Sequence, residues 1–401
     1  RSRGKPGRDL GGGQQIVMIR GQFWRWLVLP AVLLYAALAL GSGLDRLAHE
    51  RSVPEKWVPS VLRSGIHFAQ ARSFVEAGIP GSAIDQARQA LVREPLNPSA
   101  PALFGMALLG KQDPAGADRA FRIAARLGWR EPLTQLYWFQ VSLAQNDLDN
   151  AVLRFDAIAR QHPDAPYVTA MAASLERGDA GRDALGRRIA LGANWAQSYA
   201  TLREGLTPQQ IDARVDVLDR VARLNVSLGC EKLVQPVRVL AALDPVAGAR
   251  LWREHCPRAA SQALVIDGAF DQPLASQDAQ VPFEWVAAGH GGLDVQLAPG
   301  DEGQALQVRS AASITLAFVE QLVPLPAGSY RLSWRMPDVD GARHDRVLAA
   351  IACDRDPAAT GPAAGAERGG RMEQIVRIVP ACKAPWLRFW ITPGPTTVSI
   401  D

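Results

Sequence analysis

Three columns of mostly small, apolar residues recur every 34 positions in the first half of the chain. They are Ala83, Ala117 and Ala151; Ala87, Phe121 and Phe155; and Ala90, Ala124 and Ile158. The apolar residues around these columns follow the period of amphipathic helices. A constant period of this length is typical of stacked helix–turn–helix units, because one unit alone cannot bury its apolar face. We predict three such units over residues 66–163.

The three units resemble tetratricopeptide repeats, which carry small residues where two helices cross, then an aromatic residue, another small residue and a closing proline. The third unit fits this pattern best, through Ala151, Phe155, Ile158 and Pro163. Ile158 replaces a usual small residue, and in the second unit Trp129 stands where the proline is expected. The resemblance implies binding of partner proteins through the repeats. An ordinary helical bundle with chance spacing is the alternative.

Beyond the third unit the helical pattern continues but the register fails. The positions 34 residues further on, Leu185, Ile189 and Gly192, do not fit the columns. Thr207 followed by proline is a helix start. We predict a further helical or capping region over residues 164–260.

The period of the apolar positions changes from 3.6 to 2 near Leu264. Clear alternation marks residues 306–309, 314–318, 330–336 and 387–391. Short alternating strands separated by Pro/Gly turns predict an antiparallel β-sandwich over residues 264–401.

The predicted sandwich resembles the jelly rolls of carbohydrate-binding modules in envelope and secreted bacterial proteins. The resemblance is carried by residues 266–270, 283–285, 325–332 and 398–401 and by Cys353 and Cys382. It implies the jelly-roll fold more firmly than it implies a sugar.

A possible glycan-binding face follows from strand parity. Six side chains are expected to face away from the core: Arg309, Arg331, Arg335, Trp386, Arg388 and Trp390. Exposed tryptophans with arginines could stack on sugar rings and hold an anionic polysaccharide. Alternatively, a loop covers the tryptophans and the arginines are solvated.

Some jelly rolls of the kind that this region resembles hold calcium where the first and last strands meet, and Asp267, Asp271 and Asp401 are the candidate ligands here. We predict no metal and no cofactor.

An uncharged apolar segment, residues 26–44, follows a basic N-terminal stretch. Its length fits a membrane-spanning helix. The positive-inside rule predicts a single-pass inner-membrane protein with residues 1–25 in the cytoplasm, a linker over 45–65 and the remainder in the periplasm. A cleaved signal peptide is the alternative, because Ala37 and Ala39 have the spacing of a cleavage site. Met18 is an alternative start.

The four cysteines fit export to an oxidising compartment. Of their three possible pairings, only Cys230–Cys256 with Cys353–Cys382 keeps each bridge within one predicted domain. Each such bridge would stabilise the fold by about 3 kcal/mol in the loop-entropy model. Buried free thiols in a reducing compartment are the alternative.

Composition adds two exclusions. Hydrophobic residues make up 48% and charged residues 21% of the chain, which excludes global disorder. The net charge is +4, but only 5 of the 44 basic residues are lysine. This arginine bias indicates genome composition rather than a nucleic-acid partner.

Catalytic signatures are weak. The sequence contains no nucleophile elbow, P-loop or dinucleotide fingerprint. Residues 289–292, Gly-His-Gly-Gly, are similar to an oxyanion loop but have no partner motif, and His255 beside Cys256 points elsewhere on a helix. We predict a non-enzymatic, membrane-anchored scaffold for envelope proteins, in envelope or exopolysaccharide synthesis or export. The alternatives are a carbohydrate-binding envelope protein and an envelope hydrolase with an unrecognised site.

Overall fold

The computed structural model describes residues 14–48, 53–259, 263–274, 281–288, 291–300, 303–336, 344–353, 363, 365–368 and 371–401, with side chains from residue 28 onward. The chain divides into two compact units, residues 1–145 and 146–401. The division falls in the turn of the third predicted repeat. The domain boundaries drawn from the sequence stay predictions.

Helices fill the described residues up to His255, and antiparallel strands follow. The thirteen α-helices of the described residues are α1 (Gln14–Leu47), α2 (Ser64–Glu76), α3 (Pro80–Arg93), α4 (Ser99–Gly110), α5 (Pro114–Leu127), α6 (Pro132–Ala144), α7 (Leu148–Ala159), α8 (Pro166–Glu176), α9 (Asp179–Ala190), α10 (Ala196–Ala200), α11 (Pro208–Arg223), α12 (Cys230–Leu243) and α13 (Pro245–His255). The predicted order, an apolar helix, then paired helices, then strands, is confirmed.

The 34-residue period is visible in the backbone. Gly78, Gln112 and Asn146 each end the first helix of a unit with a left-handed conformation, at φ values of 69°, 61° and 56°. Asp113 and Asp147 follow two of them and cap α5 and α7, each accepting a backbone N–H from three residues further on. A left-handed residue satisfies carbonyls at a helix end, and an aspartate satisfies amides at the next helix start. The left-handed residue therefore recurs in all three turns, and the aspartate cap recurs in two of them.

The predicted packing columns lie in the helical interior. Their nine members are at most 2% exposed: Ala83, Ala87, Ala90, Ala117, Phe121, Ala124, Ala151, Phe155 and Ile158. Pro163 is half-buried just after α7. Within the second predicted repeat, Gly105 of α4 lies so close to Phe121 of α5 that an added Cβ would be 2.8 Å from the ring. Small residues at these positions let neighbouring helices approach closely.

Helix α1 contains the one segment of the described chain long and apolar enough to cross a membrane, Val28–Leu47. A signal sequence meets the same criteria. In the described part of the expected linker, short 3₁₀ turns lie at Glu55–Trp57 and Ser60–Leu62. The buried carboxylate of Asp45 accepts the backbone N–H groups of Gly65 and Ile66 at 2.8 and 3.2 Å. The C-terminal end of α1 is therefore hydrogen-bonded to the first turn of α2.

The described residues after 260 include ten antiparallel strands: β1 (Val286–Ala287), β2 (Leu293–Gly300), β3 (Gly303–Ser310), β4 (Leu316–Leu322), β5 (Gly328–Arg335), β6 (Val347–Ala352), β7 (Ala366–Arg368), β8 (Arg371–Ile378), β9 (Trp386–Ile391) and β10 (Val398–Ile400). Their sheets run β1-β4-β9-β6, β10-β3-β2 and β5-β8-β7. Arg335 and Asp401 exchange two backbone hydrogen bonds, which join β5 to the end of β10. The second and third sheets therefore continue one another.

All three sheets contribute to one apolar core. Its members include Leu306 of β3, Trp334 of β5 and Phe389 of β9. The opening segment joins this core through Phe270, whose ring centroid lies 5.1 Å from that of Trp285. The predicted alternation in these strands is therefore explained by one shared interior.

Candidate binding surfaces

An arginine–aromatic contact occurs twice on the surface of the first compact unit, residues 1–145. The guanidinium of Arg88 lies 5.7 Å from the ring of Phe104, and that of Arg122 lies 5.5 Å from the ring of Trp138. Both members of the second pair are 34 residues beyond those of the first. Each pair links the second helix of one repeat to the first helix of the next. The aromatic rings are half-buried and both arginines are exposed.

This surface can bind ligands by two kinds of interaction. An exposed guanidinium over an aromatic face offers charge, and the remaining ring edge offers apolar area. Arg122 is also held by Asp118 at 2.7 Å. That hydrogen bond, followed by the carboxylate charge, raises the pKa of Arg122. These two pairs were not identified from the sequence, although the 34-residue spacing of their members is visible in it.

In the third repeat the position of Arg88 and Arg122 is occupied by a buried carboxylate, Asp156. Its oxygens accept hydrogen bonds from Arg160 and from the indole of Trp195, both at 2.8 Å, and from Arg188. Burial acts to raise the pKa of Asp156, but the hydrogen bonds outweigh it and hold the pKa below its ordinary value. The exposed contact of the first two repeats is thus replaced by an internal tie between α7 and α9.

A second buried polar group lies nearby in the same compact unit. The carboxylate of Glu176 accepts hydrogen bonds from the hydroxyl of Tyr199 at 2.7 Å and from Arg214 at 3.3 Å. Burial, reinforced by the charge of Glu176, raises the pKa of Tyr199 well above its ordinary value. Tyr199 and Arg214 also line a cavity of about 20 Å³, which is room for a water molecule. These groups serve the packing of α8, α10 and α11.

A groove of about 500 Å³ lies among α11, α12 and α13. Ile211, Val215 and Leu240 supply apolar lining, and Asp212 and Asp219 supply carboxylates. The sequence pattern predicted helices over this region but not an open groove between them. Arg250 also lines the groove and pairs with Asp219 at 2.8 Å, so this carboxylate already has a cationic partner.

The two disulfides predicted from the sequence are present. Cys230 at the start of α12 is bonded to Cys256 after α13, and Cys353 after β6 is bonded to Cys382 before β9. The described residues include no free cysteine. Two internal bridges favour an oxidising compartment.

His255, the neighbour of Cys256, is fully buried, and both of its ring nitrogens have hydrogen-bond partners. Its Nε2 lies 3.0 Å from the carbonyl oxygen of Leu218, and its Nδ1 accepts the backbone N–H of Leu228 at 3.3 Å. Burial lowers the pKa of this imidazole. The ring therefore links three segments in its neutral form, and Cys256 is committed to its disulfide.

The predicted glycan face is split between sheets. Arg309, Arg331 and Arg335 lie on the joined second and third sheets, and the other three residues lie on β9 of the first sheet. In both places they alternate with residues of the shared core. They consequently face away from that core on different sides and do not form one surface.

Two of these residues are also not exposed, which corrects the expectation from parity. Arg388 is 2% and Trp390 4% exposed. Arg388 donates to Glu320 at 2.8 Å and lies 5.8 Å from the ring of half-buried Trp386. Parity predicts which side chains avoid the shared core, but β9 is an inner strand whose other face is covered as well. Arg335 is bound to Asp401 at 2.6 Å, and Arg309 and Arg331 are exposed.

Two of the three candidate calcium ligands, Asp267 and Asp401, have other partners. Asp267 accepts the backbone N–H groups of Asp271 and Gln272 at 2.8 and 3.2 Å, and Asp401 binds Arg335. Among the residues that the structure places, no cluster of three His, Cys, Asp or Glu side chains is suited to a metal ion. Gly289 and His290 of the oxyanion-like sequence lie outside the described residues.

Comparison with protein-family models and with curated proteins finds no match to this chain.

Proposed function

We propose that this chain is a membrane-anchored, exported scaffold that binds partner proteins on its helical repeats. The observation that carries the proposal is the 34-residue period, which recurs in the turns, in the buried columns and in the surface pairs Arg88–Phe104 and Arg122–Trp138. A surface that repeats at a fixed spacing suits an extended polypeptide ligand. The repeats are of the tetratricopeptide type in this proposal.

The setting of the scaffold is the cell envelope. The basic residues before the apolar segment, within residues 1–25, favour a cytoplasmic N-terminus, and the two disulfides favour an oxidising compartment for the rest. In this proposal the ten strands form a β-sandwich of the jelly-roll type, and the protein serves envelope or exopolysaccharide synthesis or export. A role in polysaccharide handling rests on the resemblance of the strand region and is secondary to protein binding.

Charge reversal on the repeat surface tests the proposal. The full chain, expressed in its membrane and captured after in-cell cross-linking, is compared with Arg88→Glu and Arg122→Glu. Arg126→Glu is the matched control, because Arg126 is exposed on α5 but belongs to neither aromatic pair. We expect both surface variants to lose the same cross-linked partners and the control to keep them.

Equal cross-linking by all variants would refute binding at this surface. Glycan binding is tested separately by exposing the full chain to acidic polysaccharide and comparing it with Arg331→Glu. Saturable polysaccharide binding that this change abolishes, together with unchanged protein cross-links, would favour the carbohydrate-binding alternative.

A further inference from the structure

The segment after α1 packs back against the helix that it leaves. We call residues 53–63 the collar. An added Cβ at Gly41 of α1 would lie 3.0 Å from the side chains of Pro59 and Leu62, so the collar touches the helix backbone there. Val58 of the collar is buried with Ala48 and Ile66. The collar is thus fixed at the level of Gly41.

This position limits how deeply α1 can enter a bilayer. Irregular backbone is not tolerated against lipid in the hydrocarbon region. The hydrocarbon boundary must therefore lie near Gly41, although the apolar helix runs on to Leu47. From Trp26 to Gly41 a helix rises only about 24 Å, less than the roughly 30 Å of a typical hydrocarbon core. A short span draws its flanking residues towards the bilayer.

The collar presents suitable side chains for that position. Trp57 is 59% and Val61 is 73% exposed, although both are large and apolar. Tryptophan is enriched at membrane interfaces, because its ring is apolar and its N–H remains able to bind water or headgroups. Exposed Lys56 lies beside Trp57, where an ammonium can reach lipid phosphate.

We propose that the collar lies in the interfacial layer of the bilayer, with Trp57 and Val61 in contact with lipid. Because Asp45 joins the same region to the start of α2, this contact sets the height of the first repeat above the membrane. The inference rests on the proposed membrane span of α1.

Photo-cross-linking to lipid tests the collar. The full chain is reconstituted in vesicles of phosphatidylethanolamine and phosphatidylglycerol, with p-benzoylphenylalanine replacing one residue at a time. Trp57→p-benzoylphenylalanine and Val61→p-benzoylphenylalanine probe the collar. Tyr35→p-benzoylphenylalanine, on the exposed face of α1, reports the span. Trp129→p-benzoylphenylalanine is the matched control, because Trp129 is 56% exposed but lies in the turn between α5 and α6.

We expect lipid adducts at positions 35, 57 and 61, and at least tenfold less adduct at 129. Adducts at 35 without adducts at 57 and 61 would overturn the collar contact and leave the membrane anchor intact. Absence of adducts at 35 would overturn both the anchor and the collar contact. Equal adducts at 57 and 129 would show unspecific lipid contact and would also overturn the inference.

Discussion

Two aspartates of α7 pair with arginines of α9, and we predict very different consequences for removing them. Asp149 lies 3.5 Å from Arg187, with side chains 87% and 57% exposed. Asp156 pairs with Arg188, with side chains 6% and 25% exposed, and also binds Trp195. The two pairs join the same helices, so they form an internally matched comparison of exposed and buried charge.

Asp156→Ala would leave the buried indole N–H and Arg188 without their shared acceptor. Breaking a buried pair from one side costs about 3–5 kcal/mol. Asp149→Ala should change little, because exposed ion pairs are screened and cost side-chain entropy to form. Asp156→Asn should fall between them, because the amide oxygen can still accept from Trp195 while the charge is lost.

Hydrogen exchange followed by mass spectrometry on the full chain in detergent measures this difference locally. A loss of about 3 kcal/mol corresponds to roughly 100-fold faster exchange in α7 and α9. We expect that acceleration for Asp156→Ala and wild-type exchange for Asp149→Ala. Equal exchange rates in the two variants would refute the view that burial of the carboxylate makes the difference.

The same carboxylate has a pH dependence of known sign. Its folded pKa is held below the ordinary value of 3.8. Its stabilising contribution is therefore fully present above that value and is lost as pH falls through the folded pKa. Protection in α7 and α9, expressed as the exchange rate relative to the intrinsic rate at the same pH, should therefore fall in acid in the wild type, and the Asp156→Asn variant should lack this component.

Three further predictions concern other buried groups. The lowered pKa of His255 predicts that stability falls as pH drops below about 6.5, the unfolded value, and continues to fall towards the folded pKa; thermal unfolding of His255→Gln should lose this dependence between pH 7.5 and 5.5. Gln321 is fully buried and forms hydrogen bonds with both backbone groups of Ile266, at 2.8 and 3.1 Å. Gln321→Ala should lower the free energy of unfolding in urea by about 1–3 kcal/mol, because two buried backbone groups lose their partners. A decrease of less than about 0.5 kcal/mol would contradict this expectation. Gly105→Ala should destabilise by about 1–3 kcal/mol through overpacking against Phe121, measured by the same urea unfolding, whereas Gly81→Ala, with open space around it, should be neutral or stabilising.

The helical part could be predicted because its signal is local and periodic. Ala83, Ala117 and Ala151 identify one crossing position, and the left-handed turns at Gln112 and Asn146 recur with the same spacing. The role of Asp156 could not be predicted in this way. Its column holds exposed arginines in the other repeats, and its partner Trp195 lies 39 residues away in a region without the period.

In the β region, too, the sequence pattern predicted only some of the contacts of each side chain. Alternation correctly separated Phe389 from Trp390 and Arg388 with respect to the shared core. It carried no information on what covers the second face of β9, so exposure was wrongly expected for Trp390. The docking of Asp45 on α2 was likewise beyond sequence patterns, because a lone aspartate after an apolar helix gives no indication of its partner amides.

Strand β10 lies beside β3, and Asp401 just after it binds the backbone of β5, so the order of synthesis matters for assembly. The edges of β3 and β5 are complete long before residues 398–401 leave the ribosome or a translocation channel. During that interval two unpaired edges are available to other chains, a known route to aggregation. The closing contact is also far from β5 in sequence, and such contacts form slowly. A nascent chain stalled before residue 398 should therefore be the species most dependent on chaperones.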